Sequence, residues 1–185
     1  MKNKEHRRIR ITKLLLKNSL IELMGSKPIN KITIKELCIN ADVNRSTFYL
    51  YYTDQLDLLK EIEDELLSHL KKHLDKMDSD YGTISYLDAM LSYIMENADI
   101  FRTLLCHQES PSFQSTFVQF SLTSMTKNLE IDCSDIFLTY VYEFLLMGCL
   151  SMIKKWIEAD FNLSCREMAG LIFHLSDQAI SAFNR

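Results

Sequence analysis

The sequence predicts an all-α chain of about nine helices: a three-helix N-terminal unit with a helix-turn-helix, then a larger helical region. Three observations lead there. Four Gly and two Pro in 185 residues leave too little punctuation for a sandwich or barrel, which must turn every few residues. Hydrophobic residues at 47% against 25% charged describe a globular chain. Apolar residues also recur at helical spacing in almost every segment.

The first helix is expected over Arg7–Met24, with Ile9, Leu14, Leu16, Leu20, Ile21 and Met24 near one stripe and Gly25 as its stop. A loop with Pro28 follows. Thr33 and Glu36 have capping-box spacing, so the second helix opens at Thr33 and turns Ile34, Leu37, Cys38 and Ala41 inward. Asp42, which tolerates a left-handed turn better than most residues, interrupts it. Asn44 is suited to cap a third helix, Arg45–Tyr52, with Phe48 and Tyr52 inward.

Thr53 or Asp54 caps a long helix to about Met77, and Ser79–Gly82 reads as a linker. Amphipathic segments follow over Thr83–Asn97 and Asp99–Cys106. Ser110 and Pro111 signal a start, Ser112–Leu129 a helix, and Ile131–Asp135 a break. Ile136–Ala159 is apolar on several sides. Ser164 and Glu167 form a second capping box, opening a last helix to about Phe183.

Charge divides the chain. Residues 1–60 hold 12 Lys and Arg against 6 Asp and Glu, while residues 61–185 hold 9 against 19. Either the first part meets a polyanion, or the surface is simply unevenly charged. No run of eighteen apolar residues or secretory leader is seen. Five Cys without CxxC pairs suit buried, reduced thiols, so a cytoplasmic protein without membrane contact is expected.

The helix-turn-helix, 33–41 and 44–52, carries the chemistry. The second helix of such a pair can enter the major groove. Arg45 can grip a guanine edge bidentately, and Ser46 can bond several bases. Tyr49 and Tyr51 can reach phosphates, as can Thr33 at its helix start, with Lys35 on the same side.

"ITIKELCINADVNRSTFYLYYTDQLDLL" (Ile32–Leu59) resembles the DNA-binding signature of the TetR family of bacterial transcriptional regulators. The shared features are an Ile-Thr opening, the Ala-Asp-Val turn, Ser-Thr-Phe-Tyr, an aromatic pair and a later Leu-Leu. The resemblance covers about residues 7–60. It implies a DNA-binding domain at 1–53 and a regulatory and dimerisation domain at 54–185. It also implies a homodimer on a palindromic operator in double-stranded DNA, with a small-molecule inducer or partner regulator. Carried over by position, the DNA-facing residues are Thr33, Lys35, Asn44, Arg45, Ser46, Thr47, Tyr49, Leu50 and Tyr51. Asp42 stands where the family usually has glycine, and Gln55 where it commonly has a phosphate-binding lysine. Repression is the expected mode. The alternative is a coactivator or interaction module with weakened DNA binding.

"YEFLLMGCLSMIKKWIE" (Tyr142–Glu158) is more weakly similar to the penultimate helix of a TetR subgroup that includes a dihydroxyacetone-kinase operon activator. Gly148, Met152, Trp156, Leu171 and Leu175 are the expected dimer seam, although a helix apolar on several sides can equally be buried within the subunit. Met90, Tyr93, Phe101, Leu104, Phe113, Phe117, Phe120 and Met147 either line an apolar ligand pocket or form core. His69 and His73 have a metal-compatible spacing but no third ligand, and Cys106 beside His107 reads better as a buried thiol than a nucleophile. No phosphate loop, GxSxG or catalytic constellation is present, so no enzyme, cofactor or metal is expected.

Overall fold

A computed structural model describes residues 2–75, 84–106, 113–119 and 136–182, and among these there is no strand. The helices are α1 (Lys2–Met24), α2 (Ile34–Asn40), α3 (Arg45–Phe48), α4 (Gln55–Leu74), α5 (Ile84–Glu96), α6 (Ala98–Phe101), α7 (113–119), α8 (Ile136–Glu158) and α9 (Cys165–Ser181). A π turn, Arg102–Cys106, continues α6. No helix is long and apolar enough to cross a membrane. The expected linker at Ser79–Gly82, the start at Ser110 and Pro111 and the break at Ile131–Asp135 lie outside the described residues.

The chain divides into two compact units, Met1–Ser68 and His69–Arg185. The first part of α4 lies in the first unit, where its Glu61 and Glu65 pair with Lys13 and Lys17 of α1. Leu16, Leu20 and Met24 of α1 are buried, as are Leu37, Phe48, Leu58 and Ile62 in α2, α3 and α4. The Ser19 hydroxyl is buried here. It donates to the Leu37 carbonyl at 3.1 Å and accepts from Asn40 Nδ2 at 3.1 Å, so α1 is pinned to α2 without an orphaned polar group.

In the second unit α5 packs chiefly against α9. Tyr86, Leu87, Met90, Leu91 and Ile94 of α5 are buried, as are Met168, Ala169 and Ile172 of α9. Phe101 meets Tyr93, Phe113 and Phe117 at ring distances of 6.0–6.2 Å. α9 opens with a complete capping box between Ser164 and Glu167, as its sequence spacing predicts. The turn before it holds two consecutive left-handed residues, Asp160 (φ 54) and Phe161 (φ 58). The Asp160 and Phe161 amides donate to the Ile157 and Trp156 carbonyls at 3.1 and 2.9 Å, Arg102 donates to Asp160 at 2.9 Å, and the Phe161 ring stands edge-on to Trp156 at 4.8 Å.

Candidate nucleic-acid interface

The helix-turn-helix forms because three local signals agree. Thr33 caps α2, its hydroxyl accepting from the Glu36 amide at 3.2 Å. The return arm of the expected capping box is not made: Glu36 turns to the Lys27 ammonium, which holds its carboxyl below the usual range. Asp42 adopts φ 51, the left-handed turn its residue type predicts. Asn44 occupies the cap of α3 with extended backbone but makes no side-chain capping bond. α3 is shorter than expected, ending at Phe48 before further turns to Tyr51. Phe48 and Tyr52 are buried, and their inward pull fixes which residues face outward.

Arg45, Ser46 and Asn44 are exposed, as are Thr33 and Lys35. Leu50 is 74% exposed, and Tyr49 is 58% exposed while its ring stands edge-on to Phe48 at 5.5 Å. Thr47 and Tyr51 are half-buried. An open groove of about 510 Å³ is lined by Lys35, Cys38, Ile39, Asp42, Val43, Asn44 and Arg45 of α2, the turn and α3. Ile39, 70% exposed, is a groove residue that the motif does not single out. The signal for it is an apolar residue off the Ile34, Leu37, Cys38, Ala41 face, where it can meet a thymine methyl.

A polar cluster ties this surface to the rest of its unit. Glu61 of α4 accepts from Lys13 at 2.8 Å, from Lys17 at 2.6 Å and from the Tyr52 hydroxyl at 3.1 Å. Lys17 also pairs with Glu65 at 2.6 Å. The Lys13 ammonium lies over the rings of Tyr51 (5.8 Å) and Tyr52 (5.1 Å). Burial raises the Glu61 carboxyl, but Lys13 and Lys17 together outweigh it and leave its pKa lowered. Burial, then Glu61, pushes the Tyr52 phenol up. Because the Glu61 pKa is depressed on folding, its contribution is complete above about pH 4.5 and disappears as pH falls through the lower folded value. Glu61→Gln is expected to destabilise the first unit by about 1–2 kcal/mol near neutral pH. It should also flatten the acid limb of a thermal-unfolding series, and equal acid sensitivity in both proteins would contradict this role.

In the second unit, Met90 and Phe117 line a small cavity with Tyr86, Leu146, Cys149 and Ile172. It offers about 30 Å³ on a measure where one water needs roughly 10–15 Å³. The Ser176 hydroxyl lies 3.8 Å from the Cys149 sulfur. Tyr93, Phe101, Leu104 and Phe113 are buried in the neighbouring aromatic core and do not line it. Met147 is corrected: it is 52% exposed, on the outer side of α8. Phe120 lies outside the described residues. Trp156 is corrected as a seam residue. It is 1% exposed within one chain, with its Nε1 donating to the Leu163 carbonyl at 2.9 Å.

The other expected seam residues are only partly covered within one chain. Gly148 and Met152 are half-buried, and Leu171 and Leu175 are 45% and 50% exposed. With Tyr140, Phe144 and Met147 (71%, 74% and 52% exposed) they leave α8 and α9 a broad apolar outer face. The His73 ring lies tilted beside Tyr93 at 5.5 Å, and His69 is exposed. Burial raises the Cys106 thiol, the opposite of an activated nucleophile; His107 lies outside the described residues.

Comparison with known proteins gives a consistent picture. Residues 83–178 match a TetR family model described as the transcriptional regulator C-terminal region. A TetR transcriptional regulator from Streptococcus agalactiae 2603V is 25% identical, with TM-score 0.74 over 95% of this chain and 99% of that one. The dihydroxyacetone kinase operon activator DhaS superposes with TM-score 0.59 at 19% identity, covering 94% and 98% of the two chains. In Bacillus subtilis (strain 168), the uncharacterized HTH-type transcriptional regulator YxbF is 26% identical over 102 residues, 49% of this chain. The matched stretch spans only 25% of that relative's length.

Proposed function

Since this chain belongs to the TetR family of transcriptional regulators, we propose that it binds a palindromic operator as a homodimer and represses by occluding the promoter. The observation that carries this reading is the exposed set Arg45, Ser46, Tyr49 and Leu50, turned outward by the burial of Phe48 and Tyr52. Arg45 and Ser46 read base edges. Thr33, Lys35, Asn44, Thr47, Tyr49 and Tyr51 hold phosphates and fix register. The second copy docks on the apolar outer face of α8 and α9. Two recognition helices at fixed spacing then engage two half-sites.

Release follows when a ligand or partner regulator favours a spacing that no longer fits both half-sites. The cavity beside Cys149 is the entry point for a small apolar ligand, which must widen it on binding. Mobility shift on the chain's own upstream region tests the reading: a discrete, salt-sensitive complex supports it, and no complex at low salt contradicts it.

A second reading, an interaction module with weak autonomous DNA binding, is favoured by Gln55 at the first position of α4 and by the acidic Asp42 in the turn. Gln55→Lys distinguishes them. With one more phosphate neutralised per protomer, the salt slope of log K is expected to steepen by about 2 for a dimer. An unchanged slope would place residue 55 away from the DNA backbone.

A further inference from the structure

One side of α1 is used by its own unit and the other is not. Leu16, Leu20 and Met24 are buried, and Lys13 and Lys17 beside them pair with Glu61 of α4. On the opposite side Ile11, Leu14 and Leu15 recur at i, i+3 and i+4, and they are 45%, 55% and 43% exposed. Arg7 extends this stripe toward the start of the helix, and Asn18 and Glu22 extend it toward the end; all three are exposed. None of the ion pairs among the described residues uses Arg7 or Glu22. Glu22 accepts a hydrogen bond from Asn40 Nδ2 at 3.0 Å. It sits in the last turn of α1, where the helix dipole disfavours an acid.

The stripe is its own complement when reversed. Two antiparallel α1 helices can be related by a two-fold axis between Leu14 and Leu15. Leu14 of one copy then faces Leu15 of the other, Ile11 faces Asn18, and Arg7 faces Glu22, because each pair lies equally far on either side of the axis. Three apolar side chains a copy fall well short of the roughly 1,200 Å² that a stable interface buries. Such a contact acts only where copies already lie side by side. Tandem operators provide this. The adjoining half-sites of two neighbouring inverted repeats run in opposite directions, so the subunits on them share a two-fold axis, the symmetry that the stripe fits. We propose that this face of α1 docks on the same face of a second copy in a neighbouring dimer, so that two dimers fill adjacent operators cooperatively.

The inference rests on the DNA-binding reading above. Wild type is titrated on duplexes carrying one or two selected operators, with the spacing varied base pair by base pair. On two operators the second dimer is expected to bind about tenfold more tightly than on one, with a maximum once per helical turn of about 10.5 base pairs. Leu14→Glu should abolish that gain and leave single-operator affinity and the sedimentation of the free protein unchanged. Arg7→Glu should abolish it too, and Arg7→Glu/Glu22→Arg should restore it, since opposite charges then meet again. The ratio of two-operator to one-operator affinity cancels any effect of these changes on DNA contacts. Independent filling by wild type at every spacing, or a Leu14→Glu protein that keeps the gain, would overturn the docking while leaving single-operator binding standing. Loss of the free dimer in Leu14→Glu would also overturn it, by placing α1 in the primary seam. Failure of wild type to bind any selected duplex would overturn the DNA-binding reading and the docking together.

Discussion

Phe144→Asp is expected to yield a folded chain that sediments as a monomer and binds operator DNA about 10²–10³-fold more weakly than wild type. Phe144 is 74% exposed in a single chain, so its removal leaves the subunit core untouched. Tyr140 and Met147, 71% and 52% exposed, share its side of α8. In a two-fold interface each such residue meets the same patch on the other copy. Two carboxylates would then be buried in an apolar seam without a counter-charge, which strongly opposes association. The loss in DNA affinity follows because half-sites bound by linked copies profit from effective concentration and single copies do not. Sedimentation and a DNA titration on the same preparation check both halves. A dimeric Phe144→Asp protein would remove α8 from the interface.

Arg45→Ala is expected to relax sequence preference by about 1–3 kcal/mol at the base pair it reads, with a smaller effect on nonspecific duplex binding. Arg45 is exposed at the start of α3 and lines the groove beside Lys35 and Asn44. A bidentate fork on a guanine edge is lost with its side chain, whereas the phosphate contacts remain. Titration against duplexes varied one base pair at a time measures the change. Unaltered discrimination at every position would mean that Arg45 holds phosphate and that Ser46 and Leu50 carry the readout.

The parts of the fold legible in the sequence are those fixed by local chemistry. Thr33 and Ser164 announce helix starts because a hydroxyl followed three residues later by Glu has one well-defined use. Asp42 announces the turn because few residues accept positive φ. The outward recognition face followed from the spacing of Phe48 and Tyr52, both of which are buried.

What escaped the sequence was decided by tertiary competition. Glu36 was available for a capping box, but Lys27, nine residues away in sequence, captured it. Glu61 gave no sign of gathering Lys13, Lys17 and Tyr52, since α1 and α4 meet only after the chain has folded back. α8 is the clearest case. A helix apolar on nearly every side does not reveal which stripe is core. The sequence therefore set Trp156 on the seam and Met147 in a pocket, while in the structure Trp156 is buried and Met147 faces outward.

The central claim is that paired, outward-facing α3 helices read duplex DNA at a fixed separation. In vitro selection of random duplexes by the full-length wild-type chain tests it most directly. Enrichment of an inverted repeat is expected, with half-site centres one helical turn, about 34–36 Å, or a multiple apart. Recovery of unrelated sequences, or of a lone half-site without its mirror image, would contradict it.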